Sequence, residues 1–508
     1  MKHNVMNRVS WKRLALGLFL LLFSWMAGIR AQTFTGDSIV SIPGRPNVYR
    51  LIGHVEILQQ GNRIYSDFAD YDQKTGSCQA YDNLRIYTKD NVFITGEVLD
   101  YNGTTGSYVV DRNVVLKDKD MTLKTPSLLF EGSDNTAIYT QGGEILTGET
   151  VLTSVKGHYE GRTGLFHCYE DVVIVNPEYT IWTDTLHYNK AGFTRFQGPT
   201  NIETTDYYMY GLKGWFDQEK EQVSLDGDAY VKTKETQTLF GDSIYYDMAG
   251  KEGQAYWNVM LLDTARNCYV KSEYAENKEN LGRAFFTINP RGVVVEQGDS
   301  LFVVSDTMVM TYDTTRQMKD LMAYHDVRFF RYDIQGKCDS LSYMHRDSLM
   351  EMYYEPVVWV QDYQVDGDTM KLWFAESKPD KFLVQENVFI VSEVSKPQFY
   401  YNQVKGRRMW GYFNDSSYLD WTHVIGNALS IYYVLDEKNE LLGVNKTESQ
   451  SLKMYFKQSD LDGITVVKPK SSTLYPVDRL TQRQRTLKGY HWLPELRPLS
   501  KYDLAPSW

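Results

Sequence analysis

The sequence has 508 residues, with 54 lysines and arginines against 65 aspartates and glutamates, and a formal net charge of −11. This acidic balance argues against a nucleic-acid-binding protein, which needs a basic face for phosphates. A hydrophobic content of 42% is typical of a folded chain, and four cysteines in this length exclude a disulfide-stapled scaffold.

The first 31 residues have the pattern of a secretory signal peptide. Four basic residues precede an apolar run from Leu14 to Met26, and small residues follow up to Ala31. The run is shorter than the ~20 residues that a membrane-spanning helix needs, which favours a cleaved signal over an anchor. The pattern therefore predicts an exported protein that is soluble after removal of residues 1–31.

The chain from residue 32 to residue 470 repeats a strand pattern with a period of about 29 residues. Each copy has an apolar residue, any residue, an aromatic residue and then a polar or glycine-containing turn. A second apolar run follows, as in Leu84–Ile86 and Val114–Leu116. Apolar and polar residues alternate with period 2, so each copy is predicted as strand, turn, strand, turn. The aromatic positions are Tyr71, Tyr101, Phe130, Tyr159, Tyr188, Phe216, Tyr246, Tyr274, Tyr312, Tyr343, Phe374 and Tyr412.

A copy of about 29 residues is too small to enclose a core, so the copies are predicted to stack on one another. The sequence thus predicts an all-β fold, an elongated β-jellyroll or β-solenoid of stacked strand–turn–strand repeats. Residues two apart in a strand point to the same side, so the aromatic residue and the apolar residue before it form one apolar wall. The site candidates on this wall are Leu99, Tyr101, Leu128, Phe130, Leu186, Tyr188, Ile244, Tyr246, Leu341 and Tyr343.

The spacing of the repeat divides the chain further. Between Tyr274 and Tyr312 the interval lengthens to 38 residues, which predicts an irregular rung. We therefore expect a first array over residues 32–276 and a second over residues 277–470. Residues 471–508 form a tail rich in arginine and proline, with one short helix predicted over Asp478–Leu487. This tail has three interpretations: a cap that packs back, a segment that docks on a partner, or a loosely ordered terminus.

Histidines of neighbouring copies raise the question of a metal site. His158 and His187 are 29 residues apart, with His167 nearby, and stacked imidazoles are able to share a metal ion. The equivalent positions of other copies hold a mixture of residue types, which is typical of a solvent-facing column. We therefore expect no metal and no cofactor. These equivalent residues are Asp100, Leu129, Trp215 and Tyr245.

The remaining reactive residues do not predict catalysis. Aspartates recur four residues before the aromatic position, where paired carboxylates would suit a glycosidase, but a turn or edge role is the simpler interpretation. The cysteines lie two to three copies apart, too far for a disulfide, so free and mostly buried thiols are expected. No nucleophile, phosphate-loop or zinc-protease motif is present, and we predict that the protein is not an enzyme. The aspartates are Asp67, Asp184, Asp242 and Asp339, and the cysteines are Cys78, Cys168, Cys268 and Cys338.

Four segments carry a resemblance to a known family. They are Gly53–Ile57, Tyr65–Asp72, Gly96–Asn102 and Gly241–Asp247. With the signal peptide and the stacked strand pairs, they make the chain similar to the OstA/LptA-like family of lipopolysaccharide-transport proteins, most of all to the large OstA-like proteins of the Bacteroidota. The resemblance covers roughly residues 45–470 and implies an open, V-shaped β-jellyroll.

The resemblance also implies a location, a ligand and partners. It implies a soluble periplasmic protein whose hydrophobic groove, lined by the ten site candidates, holds the acyl chains of lipid A for transport to the outer membrane. It implies edge-to-edge strand pairing with other jellyroll-domain Lpt proteins of the inner and outer membrane, and head-to-tail self-association. Two alternatives stay open: a secreted β-helix enzyme acting on polysaccharide, and a structural or adhesive surface rod.

Overall fold

The computed structural model describes residues 33–505, apart from 120, 132–134, 190–191, 297–298, 314–317, 377, 396–398, 437, 439 and 459. The predicted signal peptide, residues 1–31, lies outside the described residues. Among the residues that are described, no helix is long and apolar enough to cross a membrane.

Strands make up most of the described chain, in agreement with the predicted all-β fold. In chain order they are β1 (Thr33–Thr35), β2 (Ser38–Ser41), β3 (Val48–Gln59), β4 (Asn62–Asp72), β5 (Ser77–Tyr87), β6 (Phe93–Tyr101), β7 (Tyr108–Asp118), β8 (Met121–Glu131), β9 (Thr136–Tyr139), β10 (Gly143–Thr147), β11 (Thr150–Ser154), β12 (Lys156–Glu160), β13 (Leu165–Val175), β14 (Tyr179–Asn189), β15 (Phe193–Thr204), β16 (Tyr207–Asp217), β17 (Gln222–Thr233), β18 (Gln237–Asp247), β19 (Glu252–Asp263), β20 (Cys268–Lys278), β21 (Arg283–Thr287), β22 (Arg291–Glu296), β23 (Asp299–Val304), β24 (Thr307–Tyr312), β25 (Met318–Phe330), β26 (Ile334–Met344), β27 (Leu349–Tyr353), β28 (Val357–Val360), β29 (Tyr363–Asp366), β30 (Thr369–Ala375), β31 (Lys378–Ser395), β32 (Tyr400–Phe413), β33 (Leu419–Leu435), β34 (Leu441–Lys457) and β35 (Asp460–Tyr475). The 3₁₀ helices are Glu279–Leu281, Val477–Arg479, Gln482–Arg485, Pro494–Leu496 and Lys501–Asp503.

The strands pair in an antiparallel meander. Cys78 of β5 lies opposite both Tyr71 of β4 and Tyr101 of β6, so the aromatic position recurs on every second strand. One copy of the repeat is therefore two antiparallel strands joined by a hairpin turn. This pairing does not fit a parallel β-helix, on which the polysaccharide-enzyme alternative depends.

Most long strands are bent near their middle by a β-bulge. In β5 the register shifts between Tyr81 and Leu84, where Asp82 and Asn83 have positive φ angles of 62° and 49°. Short polar side chains tolerate this left-handed conformation better than most residues. Each bend divides a strand into two half-strands that belong to two facing walls, and the interior lies between these walls. Similar positive-φ pairs are Arg112–Asn113, Glu170–Asp171, Trp257–Asn258, His325–Asp326 and Glu386–Asn387.

The chain forms two compact units, the first ending at Gly198 and the second beginning at Pro199. In the first unit, the interior holds alternate residues of both half-strands, such as Leu84 and Leu99, which are buried. In the second unit, Leu225 and Phe329 are likewise buried in the interior.

The strands between Tyr274 and Tyr312, where an irregular rung is predicted, are interrupted, as are β9–β12 and β27–β30. A 3₁₀ helix, Glu279–Leu281, precedes β21, and the chain bends again at Ile288 and Asn289, both with positive φ. Strands β21 and β22 nevertheless both pair with β20, so the meander continues through this segment. The division into two arrays at residue 277 stays a prediction.

The C-terminal segment packs back along the second unit. Strand β35 ends at Tyr475, and the single helix predicted over Asp478–Leu487 is instead two 3₁₀ turns, because Thr481 between them is extended, with a ψ angle of 158°. Further along, Leu504 packs against Val304. The tail therefore packs back on its own chain, which is the first of its three interpretations.

Candidate functional site

The ten site candidates all lie on the interior side of their strands. Tyr343 is half-buried, and the other nine are buried, with at most 8% of the surface of any one exposed. This confirms that the aromatic position and the residue two before it share a side. Their role as a lipid groove stays a prediction.

In the first unit the candidates form a packed core. The rings of Tyr101 and Tyr108 have centroids 6.0 Å apart, and those of Tyr108 and Phe130 are 4.9 Å apart, both in stacked geometry. Leu99 lies between Ala80 and Val110 of the neighbouring strands and is 0% exposed. The protein's own side chains therefore occupy the space between these walls.

The second unit contains a cavity of about 390 Å³ in its interior. Of the ten candidates, Ile244 and Tyr246 of β18 contribute to its lining. The space exists because the strand on one side of Ile244 and Tyr246 carries small side chains, whereas the strand on the other side carries Val223 and Leu225. Gly253 lies opposite Tyr246, and Ala255 lies opposite Ile244. The small lining residues are Gly253, Ala255, Ala275, Gly282 and Ala284.

These small residues are the feature of the cavity that reasoning from the repeat missed. The pattern was defined by large apolar and aromatic residues, so a copy with glycine or alanine at these positions counts only as a weaker match. A signal is nevertheless present, because Ala255 lies opposite Ala275 of the next strand. A pair of small residues among large ones indicates a gap.

One end of the cavity is polar. The hydroxyl groups of Tyr207 and Tyr246 both donate hydrogen bonds to Oε1 of Glu279, at 2.9 and 2.7 Å. Burial, together with these hydrogen bonds, raises the pKa of Tyr246, so its hydroxyl keeps its proton. Lys251 and Asn280 also line this region. The cavity thus combines an apolar interior with a rim that offers hydrogen-bonding groups.

The candidates Leu341 and Tyr343 lie elsewhere in the second unit. They line a space of about 20 Å³ together with Leu321 and Met350. This volume is near that of a single water molecule, so these walls are in contact.

The histidines lie in one row on the outer face of the first unit. His158 of β12 lies opposite His167 of β13, which lies opposite His187 of β14. The sequence placed His158 and His187 in one column, and that is correct, but His167 stands between them because one copy of the repeat contains two strands. Glu160, two residues after His158, is on the same face.

All four cysteines are free and buried, as predicted. Burial raises the pKa of the Cys168 thiol to about 11 and those of Cys78, Cys268 and Cys338 to about 12. Since the thiolate is the reactive form, these thiols are inert in the folded protein.

The fold and the cavity together define an all-β protein of antiparallel strands with an apolar interior site. Residues 38–184 match the model of a family described as OstA-like protein, which confirms the resemblance to the OstA/LptA-like family. A similar solved structure is that of LptH, described as the LptA homologous periplasmic component of the conserved lipopolysaccharide transport device from Pseudomonas aeruginosa. That match has 20% identity, covers 21% of this chain and 81% of LptH, and has a TM-score of 0.20. No curated protein gives a significant match.

Proposed function

We propose that the protein is a periplasmic carrier or bridge that binds lipopolysaccharide and holds acyl chains of lipid A in the jellyroll interior on their way to the outer membrane. The observation that carries this proposal is the cavity of the second unit. Its volume of about 390 Å³ falls within the range of roughly 300–1,000 Å³ that is usual for ligand pockets. The OstA-like match of residues 38–184 supports the ligand class.

The lining of the cavity suits an acyl chain. Ile244, Leu239 and Phe286 provide an apolar surface, and each methylene buried against such a surface contributes about 0.8 kcal/mol. A chain of several methylenes is therefore held without any catalytic group. The polar end at Tyr246 and Glu279 suits the hydroxyl-bearing part of the lipid nearest its sugars.

The first unit would carry lipid in a different way. Its candidate residues, such as Leu99 and Tyr101, fill the interior themselves. An acyl chain entering there has to part the two walls and replace contacts between side chains by contacts with lipid. Both kinds of contact are apolar, so the exchange has a small net free energy.

The partners follow from the strand edges. Among the described strands, β35 pairs with β34, and its other edge, along Asp460–Tyr475, is mostly exposed. An exposed edge offers unpaired backbone groups to another strand. We infer that this edge receives the jellyroll domain of an Lpt partner or a second copy of this chain.

The test is retention of lipid by a variant whose cavity is filled. We expect the protein purified from a Gram-negative periplasm to carry near-stoichiometric lipopolysaccharide, measured by mass spectrometry of extracted lipid. Ala275→Phe places a ring in the space next to Ala255. Displacing even two methylenes costs about 1.6 kcal/mol, so bound lipid should fall by more than about tenfold under competition.

The matched control is Gln254→Phe, which puts the same ring on the other side of the adjacent strand β19. It should retain lipid as the wild-type protein does. Circular dichroism checks the fold of each variant, and Ala284→Leu replaces Ala275→Phe if the larger residue prevents folding. A lipid-free wild-type protein, or a folded Ala275→Phe variant with undiminished lipid, would overturn the proposal.

A further inference from the structure

The outer face of the first unit brings together a set of side chains that the lipid-binding function does not use. Ligand atoms of His158, Glu160 and His167 all lie within 4.8 Å of one another. Two of these residues are on β12, two positions apart, and the third is directly opposite on β13. Adjacent strands hold such side chains on one face at fixed spacing, as a metal site requires.

The distances match those between ligands of a bound metal. Oε1 of Glu160 is 3.6 Å from Nε2 of His158 and 3.2 Å from Nε2 of His167. Ligand atoms that are each about 2.0–2.1 Å from a tetrahedral metal lie roughly 3.3–3.4 Å apart. The measured distances bracket that separation, so these ligand atoms already have nearly the spacing that a metal requires. The imidazole rings of His158 and His167 are stacked, with centroids 4.3 Å apart and planes 18° apart, and Nε2 of each faces the carboxylate. Because the lone pair of Nε2 lies in the plane of its ring, one imidazole has to rotate for both lone pairs to meet at one ion.

A second layer of contacts orients these groups. The hydroxyl of Thr163 donates a hydrogen bond to Oε2 of Glu160 at 3.0 Å, which leaves Oε1 directed at the imidazoles. Nδ1 of His167 lies 2.5 Å from Nδ1 of His187. When His167 donates its Nδ1 proton to His187, its Nε2 carries the lone pair that a metal needs. Metal-binding histidines are commonly fixed through their second nitrogen in this way.

The chemistry of the donor atoms favours a particular class of cation. Two neutral nitrogens and one carboxylate suit a borderline transition metal, whereas Mg²⁺ and Ca²⁺ prefer sets of oxygen ligands.

We propose that His158, Glu160 and His167 form a binding site for one Zn²⁺ ion. His187 acts as the positioning partner of His167. The ion joins β12 and β13 next to their turn, Gly161–Gly164, and so ties together a hairpin whose first strand has only five residues. This inference does not depend on lipid binding, since the site is on the outer face of the first unit.

The test is zinc binding by the purified full chain after removal of metal with a chelator. We expect one Zn²⁺ per chain by elemental analysis after dialysis, competition with a zinc-binding dye, and zinc–nitrogen distances of about 2.0–2.1 Å by X-ray absorption. Zinc should raise the melting temperature, because a ligand that binds the folded state stabilises it. Mg²⁺ at the same concentration should not.

Single substitutions distinguish the proposed zinc ligands from His187, the positioning partner of His167. His167→Ala should abolish stoichiometric binding, and the near-isosteric Glu160→Gln should weaken it without disturbing the fold. His187→Ala should weaken it by about 10- to 100-fold, as loss of an outer hydrogen-bond partner does. The control is His325→Ala, on the second unit, which should bind zinc as the wild-type protein does. Absence of zinc from the wild-type protein, or unchanged affinity in both His167→Ala and Glu160→Gln, would refute the site.

Discussion

At the scale of single residues, Asp366 gives the second unit a specific pH dependence. Burial raises the pKa of this carboxyl from 3.8 to about 6, although His491 Nε2 lies 3.3 Å from its Oδ2. The folded state therefore keeps a proton that the unfolded state releases, and the free energy of unfolding falls as pH rises from 3.8 to about 6. Asp366→Asn removes this dependence. Above pH 6 we expect the variant to be more stable than the wild-type protein by up to about 3 kcal/mol.

Urea unfolding at a series of pH values from 4 to 8, followed by tryptophan fluorescence, measures this difference. The two proteins should have similar midpoints near pH 4 and separate as pH rises. Asp420→Asn, an exposed position on β33, is the matched control and should follow the wild-type curve. If Asp366→Asn keeps the wild-type pH slope, the buried carboxyl does not titrate as described.

Residue identities in the interior were predictable where the repeat is strong, and not where it is weak. Leu99 and Tyr101 were predicted to share a side because period-2 alternation dictates it. The gap beside Ala255 exists because the residues around it on neighbouring strands are small. The sequence of a single strand does not show which residues of other strands lie around it. His167 was placed only near its partners, because the two strands predicted for each copy did not show which of their residues lie opposite one another.

At the scale of elements, the C-terminal tail is held by glutamine side chains that act as extra backbone partners. Gln403, which is 3% exposed, donates to the carbonyl of Arg485 at 3.0 Å and accepts from the amide of Leu487 at 2.8 Å. Gln364 makes the same pair of bonds with His491 and Leu493. A primary amide offers both a donor and an acceptor, so each glutamine pairs with the tail as a neighbouring strand would.

Gln403→Ala should release this part of the tail. Loss of two hydrogen bonds at about 1 kcal/mol each raises the opening equilibrium roughly 30-fold. Trypsin cleavage after Arg485 or Lys488 measures that opening, and it should accelerate by a similar factor while the strands stay intact. Gln450→Ala, on the exposed side of β34, is the control and should be cleaved at the wild-type rate. An unchanged rate in Gln403→Ala would mean that other contacts hold the tail.

The position of the tail was not predictable from the sequence. Gln364 and Gln403 occur in strands where polar residues are expected on the outer face, and nothing in a linear pattern indicates their partners. The arginine- and proline-rich composition of the tail excludes continuation of the strand repeat, but it fits a docked and a free segment equally well. The contacts of the folded chain decide between them, among them the pairing of each buried glutamine with a backbone donor and acceptor.

At the scale of the whole molecule, the four buried thiols distribute evenly over the two compact units and so report on each. Cys78 and Cys168 belong to the unit that ends at Gly198, and Cys268 and Cys338 belong to the unit that begins at Pro199. A repeat array is stabilised by contacts between neighbouring copies, so cooperative unfolding extends along packed strands and ends where contacts are few. We expect thiols of one unit to become reactive together, whether or not the two units unfold at the same denaturant concentration.

Pulse labelling with an alkylating reagent at increasing urea, with peptide mass spectrometry, tests this expectation. In the absence of urea no thiol should react within the pulse, because burial raises the pKa of every one and closes access to it. With rising urea, Cys78 should follow the same curve as Cys168, and Cys268 the same curve as Cys338. The fully unfolded protein serves as the reference for complete labelling. Different labelling midpoints for the two cysteines of one unit would show that fewer copies unfold together than a compact unit contains. The meander would then unfold rung by rung.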